Sequence, residues 1–155
     1  MKKLILAVII LLNLNERIIA SEIYGLPIIT DGDTIKISNN KIRLHGIDAP
    51  EKKQKCTKNK NKYNCGVVAT KALTKKIGKE LIKCLTQKNK DRYNRFIGIC
   101  FVEHEDLNKW MVRNGHAVAY KRYSKDYILD EEFAKTNKLG LWSGTLKPEK
   151  WRKLN

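Results

Sequence analysis

The chain has 155 residues, 42% of them apolar, and carries 32 lysines and arginines against 16 acidic residues, a formal charge of +16. That length and apolar share suit one domain with its own core and leave little room for a second. The charge selects polyanionic partners, nucleic acid ahead of anionic lipid, because no long basic amphipathic helix follows the N-terminal segment.

Met1-Lys2-Lys3, the apolar run Leu4 to Leu12, a short polar stretch and Ile18-Ile19-Ala20-Ser21 open the chain. A basic start, an apolar centre too short to span a bilayer comfortably and a small-residue end predict a secretory signal over residues 1–20, cleaved after Ala20. Glu16 and Arg17 interrupt the pattern, and an uncleaved membrane anchor is the alternative. Cleavage removes Lys2, Lys3, Arg17 and Glu16, leaving residues 21–155 as one domain of charge +14. The expected location is secreted or periplasmic, with no stable membrane insertion after cleavage.

Tyr24 to Thr30 reads as a strand broken or edged by Pro27. Alternation then marks strands at Thr34 to Ser38, with Ile35 and Ile37 on one face, and at Lys41 to His45, with Ile42 and Leu44 on one face. Asn39-Asn40 is the predicted tight turn between them, because Asn tolerates positive φ. Arg43 therefore points away from the apolar face. From Gly66 to Ile77, Val68, Ala69, Ala72, Leu73 and Ile77 recur at helical spacing, and Gly78 supplies a stop. Glu80 to Gln87 and Arg95 to Glu103 form a second hairpin around Lys88 to Asn94. Asp106 caps a helix over Leu107 to Asn114, closed by Gly115, and Asp126 opens one running to Lys138, closed by Gly140. Trp142 and Trp151 read as aromatics that dock the last helix. Strands, a helix, two strands and two helices make a small α+β domain without repeat or linker.

Cys56, Cys65, Cys84 and Cys100 are an even count in a chain with an export signal, which predicts disulfides. Their spacing fits no zinc pattern. Cys84 and Cys100 are equidistant from Arg92 in the turn of the second hairpin, so they face each other, and Cys56 with Cys65 closes a lysine-rich loop. Four free thiols are the alternative in a reducing compartment.

The chemistry concentrates between Ile23 and Lys79, where thirteen basic residues surround only four acidic ones, Asp31, Asp33, Asp48 and Glu51. Carboxylates clustered in a basic stretch suit a hard cation that meets a phosphate. Asp33 starts a strand and Asp48 ends one, so two strand ends can offer both to one ion. Pro50 fixes the turn between Asp48 and Glu51, which lets one carboxylate hold metal while the other addresses water. Arg43, on the strand leading into Asp48, supplies a planar fork for phosphate oxygens.

Asp31-Gly32-Asp33-Thr34-Ile35, Ile42-Arg43-Leu44-His45-Gly46-Ile47-Asp48-Ala49-Pro50-Glu51, Asp91-Arg92-Tyr93-Asn94-Arg95, Asp106-Leu107-Asn108 and Gly140-Leu141-Trp142 closely resemble, in order and spacing, the staphylococcal nuclease family. The resemblance implies a five-stranded OB-fold barrel with three α-helices. It also implies a calcium-dependent nuclease of DNA and RNA that leaves 3'-phosphate ends. By position it implies Asp33, Asp48 and the Ala49 backbone carbonyl as metal ligands, Glu51 as the residue that activates water, and Arg43 and Arg95 as phosphate clamps. Tyr93, with Tyr120 or Tyr123, would form the aromatic wall that holds a nucleotide. The family's best-known member has threonine at position 49 and glycine at position 94, and a backbone ligand and a left-handed turn are compatible with Ala49 and Asn94. The lysine-rich stretch Lys52 to Lys62 would add nonspecific backbone contacts; a disordered solvated loop is the competing reading. The other functional class is an OB-fold binding module without cleavage, whose mark would be loss of Arg43, Glu51 or Arg95, and all three are present. His45, His104 and His116 form no pair or ligand set. A monomer is expected.

Overall fold

The computed structural model describes residues 21–144. The predicted signal segment 1–20 and the tail residue Trp151 lie outside the described residues. The described elements run in the order β1 (Ser21–Gly25), β2 (Pro27–Ile29), β3 (Thr34–Ile37), β4 (Asn40–Leu44), β5 (Ile47–Asp48), β6 (Cys56–Lys58), β7 (Asn61–Tyr63), α1 (Cys65–Ile77), β8 (Ile82–Lys90), β9 (Phe96–Val102), β10 (Glu105–Asp106), α2 (Leu107–Arg113), β11 (Val118–Ala119) and α3 (Ile128–Thr136), with a 3-10 turn at Gly140–Ser143.

The main sheet is ordered β1-β8-β9-β4-β3-β2. β1 and β2 are separated by Leu26 alone, yet β1 pairs with β8 and β2 with β3, at opposite ends of that path. Chain continuity therefore curls the sheet on itself. The expected count of five strands needs correction. The first predicted strand starts earlier, at Ser21, and splits before Pro27, which has no N–H to donate to a ladder. The short segments β5, β10 and β11 and the ribbon of β6 and β7 raise the count further. The expected α+β composition with three α-helices is present among the described residues.

Strand alternation points Ile35, Ile37, Ile42, Leu44, Ile82 and Cys84 into the curl, where all are buried. Each large apolar side chain so buried contributes about 2 kcal/mol. Cys84 and Cys100 are directly opposite in the β8–β9 ladder and form a disulfide, as expected from the hairpin centre. α1 lays Ala69, Leu73 and Ile77 on this core and ends at Gly78, whose positive φ of 62° suits glycine and whose N–H donates to the Thr74 carbonyl.

Several boundaries differ from expectation; β8, for one, runs on to Lys90, into the expected turn. Ile37 pairs with Asn40, so Ser38 and Asn39 make the β3–β4 turn, one residue early, with Ser38 at φ 52°. Asp126 does not cap α3, which starts at Ile128 and ends at Thr136. The second half of the lysine-rich stretch is a ribbon, with Lys52, Lys53 and Lys55 before it: β6 and β7 pair through Cys56 and Tyr63, and the turn residues Asn59 and Lys60 both have positive φ. Cys56 is bridged to Cys65 at the start of α1, the second expected disulfide. Cys56, Tyr63 and Trp142 pack on a satellite core of Cys65, Val118 and Leu141, which anchors the ribbon; the contact of Trp142 with the last helix is Lys135 of α3, whose Nζ lies 4.3 Å from its ring.

Candidate active site

One feature of the sheet decides the site. β4 and β9 run parallel, with Arg43 opposite Ile97. Since alternate residues share a face, Arg95, two positions before Ile97, lies on the face of Arg43 and Lys41. The core side of the same seam is pinned by the fully buried Asn108 of α2, which donates to the His45 and Gly98 carbonyls at 2.9 and 3.1 Å and accepts from the Cys100 N–H at 3.2 Å. β5 carries Asp48 and is held by β11, after which the Tyr120 N–H donates to the Gly46 carbonyl at 2.8 Å. These pairings gather Arg43, Asp48, Ala49, Glu51, Arg95, Tyr93, Tyr120 and Tyr123 around one open cleft of about 1300 Å³.

Behind the cleft wall, Asp33 is buried at the start of β3. Its Oδ1 accepts from Arg43 Nη1 at 2.6 Å and from the Thr34 hydroxyl at 3.0 Å, and its Oδ2 accepts from the Ala49 N–H at 3.0 Å. Arg43 Nη2 donates to Asp48 Oδ1 at 3.0 Å. One guanidinium thus joins the two expected metal-binding carboxylates. Burial works against the charge on Arg43, but Asp33 and Asp48 outweigh it and strengthen its hold on the proton. Asp31, which accepts from the Asp33 N–H, has its carboxyl pushed up to about 6, by burial first and by the Asp33 charge second.

No three His, Cys, Asp or Glu side chains form a ready metal cage among the described residues. The donor set is nonetheless the right chemistry for a hard divalent cation: carboxylate oxygens at two strand ends, with Asp31 adding a third acidic group beside Asp33. Such a site is completed by phosphate and water rather than by further protein ligands. Ala49 takes part through its N–H, as a donor to Asp33.

Glu51 is exposed on the loop after β5, and its N–H donates to Gln54 Oε1 at 3.1 Å. Arg95 is held by Asp91: Nε and Nη2 both reach Asp91 Oδ2, at 2.9 and 2.8 Å, while Oδ1 accepts the Tyr93 and Arg95 N–H groups. Burial would raise the Asp91 pKa, but these hydrogen bonds and the Arg95 charge lower it overall. Asn94 adopts φ 60°, the left-handed turn conformation expected of it. The Tyr93 ring is largely exposed and lies 5.1 Å from the Arg95 guanidinium carbon. Tyr120 and Tyr123 meet edge to face at 4.7 Å.

Three residues hydrogen-bonded to this site have no role in the sequence reading: Asp91, Asn108 and Gln54. Asp91 and Asn108 stand inside motifs quoted above, and Asp91 is four residues before Arg95, which is an available signal. Gln54 offers no signal beyond its closeness to Glu51.

The fold and cleft define an α+β domain with a basic, carboxylate-bearing groove suited to a polynucleotide strand. The profile of the family described as staphylococcal nuclease homologue matches residues 41–144. An uncharacterized endonuclease from Escherichia coli is 32% identical over 154 residues, covering 93% of this chain and 94% of its own. A micrococcal nuclease from Shigella flexneri is 32% identical, covering 81% and 77%. The succinoglycan biosynthesis protein ExoI of Rhizobium meliloti is 33% identical, covering 85% and 71%. The chain belongs to the staphylococcal nuclease family. That family implies the OB fold, with which the curled sheet and three helices are consistent.

Proposed function

We propose that the protein is a calcium-dependent nuclease that hydrolyses DNA and RNA without sequence preference, leaves 3'-phosphate ends, and acts after export and cleavage behind Ala20. The observation that carries this reading is the convergence of Arg43, Asp48, Glu51 and Arg95 on one cleft, with Asp33 bonded to Arg43 behind its wall. Relatives named endonuclease and micrococcal nuclease support hydrolysis of nucleic acid as the class of activity. Two disulfides support an oxidising compartment.

Asp33, Asp48 and the Ala49 carbonyl would hold the calcium ion, which when bound supplies positive charge to a phosphate oxygen. Glu51 takes the proton of the attacking water. As the water oxygen bonds to phosphorus, negative charge builds on the five-coordinate phosphate, and Arg95 stabilises it with donors already oriented by Asp91. Arg43, once released from Asp33 and Asp48, would contribute a second fork at the same phosphate. Rupture of the bond to the 5' oxygen, which takes a proton from solvent water to become a hydroxyl, leaves the phosphate on the 3' side. Tyr93, Tyr120 and Tyr123 offer ring faces to any base, and contacts to phosphates and base faces carry no sequence information.

Strand binding without cleavage is the second reading, favoured by the engagement of Arg43 with Asp33 and Asp48. Digestion of plasmid and of RNA with added calcium, repeated in excess chelator, separates the two. Cleavage with calcium alone is expected. Full activity in chelator would remove the metal assignment, and retention of strand without cleavage would favour the binding module.

A further inference from the structure

Arg43 sits within β4 and Arg95 borders β9, whereas Glu51 stands on a loop, so its position depends on what that loop is fastened to. The fastening is Gln54. Its Oε1 accepts the Glu51 N–H at 3.1 Å, and its own N–H donates to the Glu51 carbonyl at 2.7 Å. A main-chain N–H can only donate, which assigns oxygen to that end of the amide and nitrogen to the other. Nε2 is then a buried donor without a partner among the described residues, on a side chain that lines the cleft. Buried orphan donors are rare and call for a functional explanation.

The same turn is seated on the start of α1. The Gly66 N–H donates to the Gln54 carbonyl at 3.4 Å, and Cys65 Sγ touches that carbonyl at 3.5 Å. A Cβ on Gly66 would drive into the Glu51 carbonyl, so only glycine permits this approach. Two residues beyond Gln54, Cys56 is bonded to Cys65. The segment Glu51 to Cys56 is thereby tied to α1 at Gln54 and at Cys56.

We infer that Gln54 is a positioning residue for Glu51, and that the Cys56–Cys65 bridge holds it in place, so that full turnover depends on that bridge. The inference rests on the proposed role of Glu51. Its consequence is a nuclease that is slack in a reducing compartment and tightened by oxidation. Opening the bridge with dithiothreitol breaks one S–S bond and gives two cysteine thiols, while the reductant supplies two electrons and two protons and closes into its cyclic disulfide. Cys65, Cys84 and Cys100 are all buried, and Cys56 is the one partly exposed cysteine of the four, so mild reduction reaches Cys56–Cys65 first.

The test compares calcium-supported plasmid hydrolysis by the wild type, Gln54→Met, Glu51→Gln and the double variant. Gln54→Met should lower kcat by about tenfold or more, the scale seen when a group orienting a functional ligand is lost. KM should change by less than about twofold, because substrate contacts remain. The double variant should be no slower than Glu51→Gln, since a residue acting through Glu51 has nothing left to position. Mild dithiothreitol treatment, with mass mapping to show Cys84–Cys100 intact, should reproduce the fall in kcat, and glutathione disulfide should reverse it. Wild-type kcat in Gln54→Met, or losses that multiply with Glu51→Gln, would overturn the positioning role. Full turnover of the selectively reduced protein would overturn dependence on the bridge. If Gln54→Met does not fold, the reduction experiment decides, because it needs no substitution. A wild type that hydrolyses nothing would remove the proposed function and this inference with it.

Discussion

Asp91 takes both Nε and Nη2 of Arg95 on a single oxygen, which fixes the plane of the guanidinium while Nη1 takes no part in the pair. A lysine keeps the charge but cannot reproduce a planar fork. Arg95→Lys should therefore lower turnover by about 10²-fold, as for loss of an oxyanion donor, with affinity for an uncleavable strand nearly unchanged. Rate and binding assays on the same preparation check this, and a proportional loss of binding would favour the binding module. A different residue contributes to acid sensitivity. Burial lowers the pKa of His116, which packs at 5.4 Å against Trp110, from its ordinary 6.5. The unfolded chain binds that proton near 6.5 and the folded chain only at lower pH, so the contribution to stability is present above 6.5 and lost as pH falls through the folded value. His116→Gln should flatten the pH dependence of the denaturant midpoint below neutral pH. An unchanged dependence would assign the acid sensitivity to other groups.

At the scale of elements, the parallel seam of β4 and β9 brings the two arginines onto one face, and α2 secures it through Asn108. Asn108→Ala removes three hydrogen bonds and leaves buried backbone groups unpaired, which should cost about 3 kcal/mol. Urea unfolding measures it, and a loss below about 1 kcal/mol would show that water replaces the amide. The hairpins and α1 are legible in the sequence because alternation, helical spacing and Gly78 are local signals. α2 is equally legible from Asp106, whose Oδ1 accepts the Lys109 N–H at 2.9 Å. The ribbon of β6 and β7 is not, since its lysines show no apolar alternation. It is held instead by a disulfide and by packing on Leu141 and Trp142, contacts made far along the chain.

For the molecule as a whole, a charge of +16 makes strand binding steeply salt-dependent. Lys58, Lys60 and Lys62 are exposed on the ribbon, and no acidic partner is seen for them among the described residues. Replacing all three by Gln should make the slope of log affinity against log salt shallower by roughly 2 to 3 units if each meets a phosphate. Turnover at saturating substrate should hold. Filter binding across a salt series checks the slope, and an unchanged slope would place the strand away from the ribbon. No helix among the described residues is long and apolar enough to cross a membrane.

The sequence by itself determined the outward direction of Arg43, the clustered carboxylates and the Cys84–Cys100 pair, because these follow from residue period, spacing along the chain and symmetry about a hairpin centre; Cys56–Cys65 followed as the pair left to close one loop, and the turn at Asn94 from the family resemblance. Only the tertiary structure decided that Arg43 and Arg95 share a cleft, because parallel pairing joins strands distant in the chain and no local pattern encodes it. It alone placed Arg43 between Asp33 and Asp48, Asp91 behind Arg95, and Gln54 behind Glu51. Those arrangements depend on the direction and burial of side chains, which are settled when the sheet curls and α1 and α2 close against it.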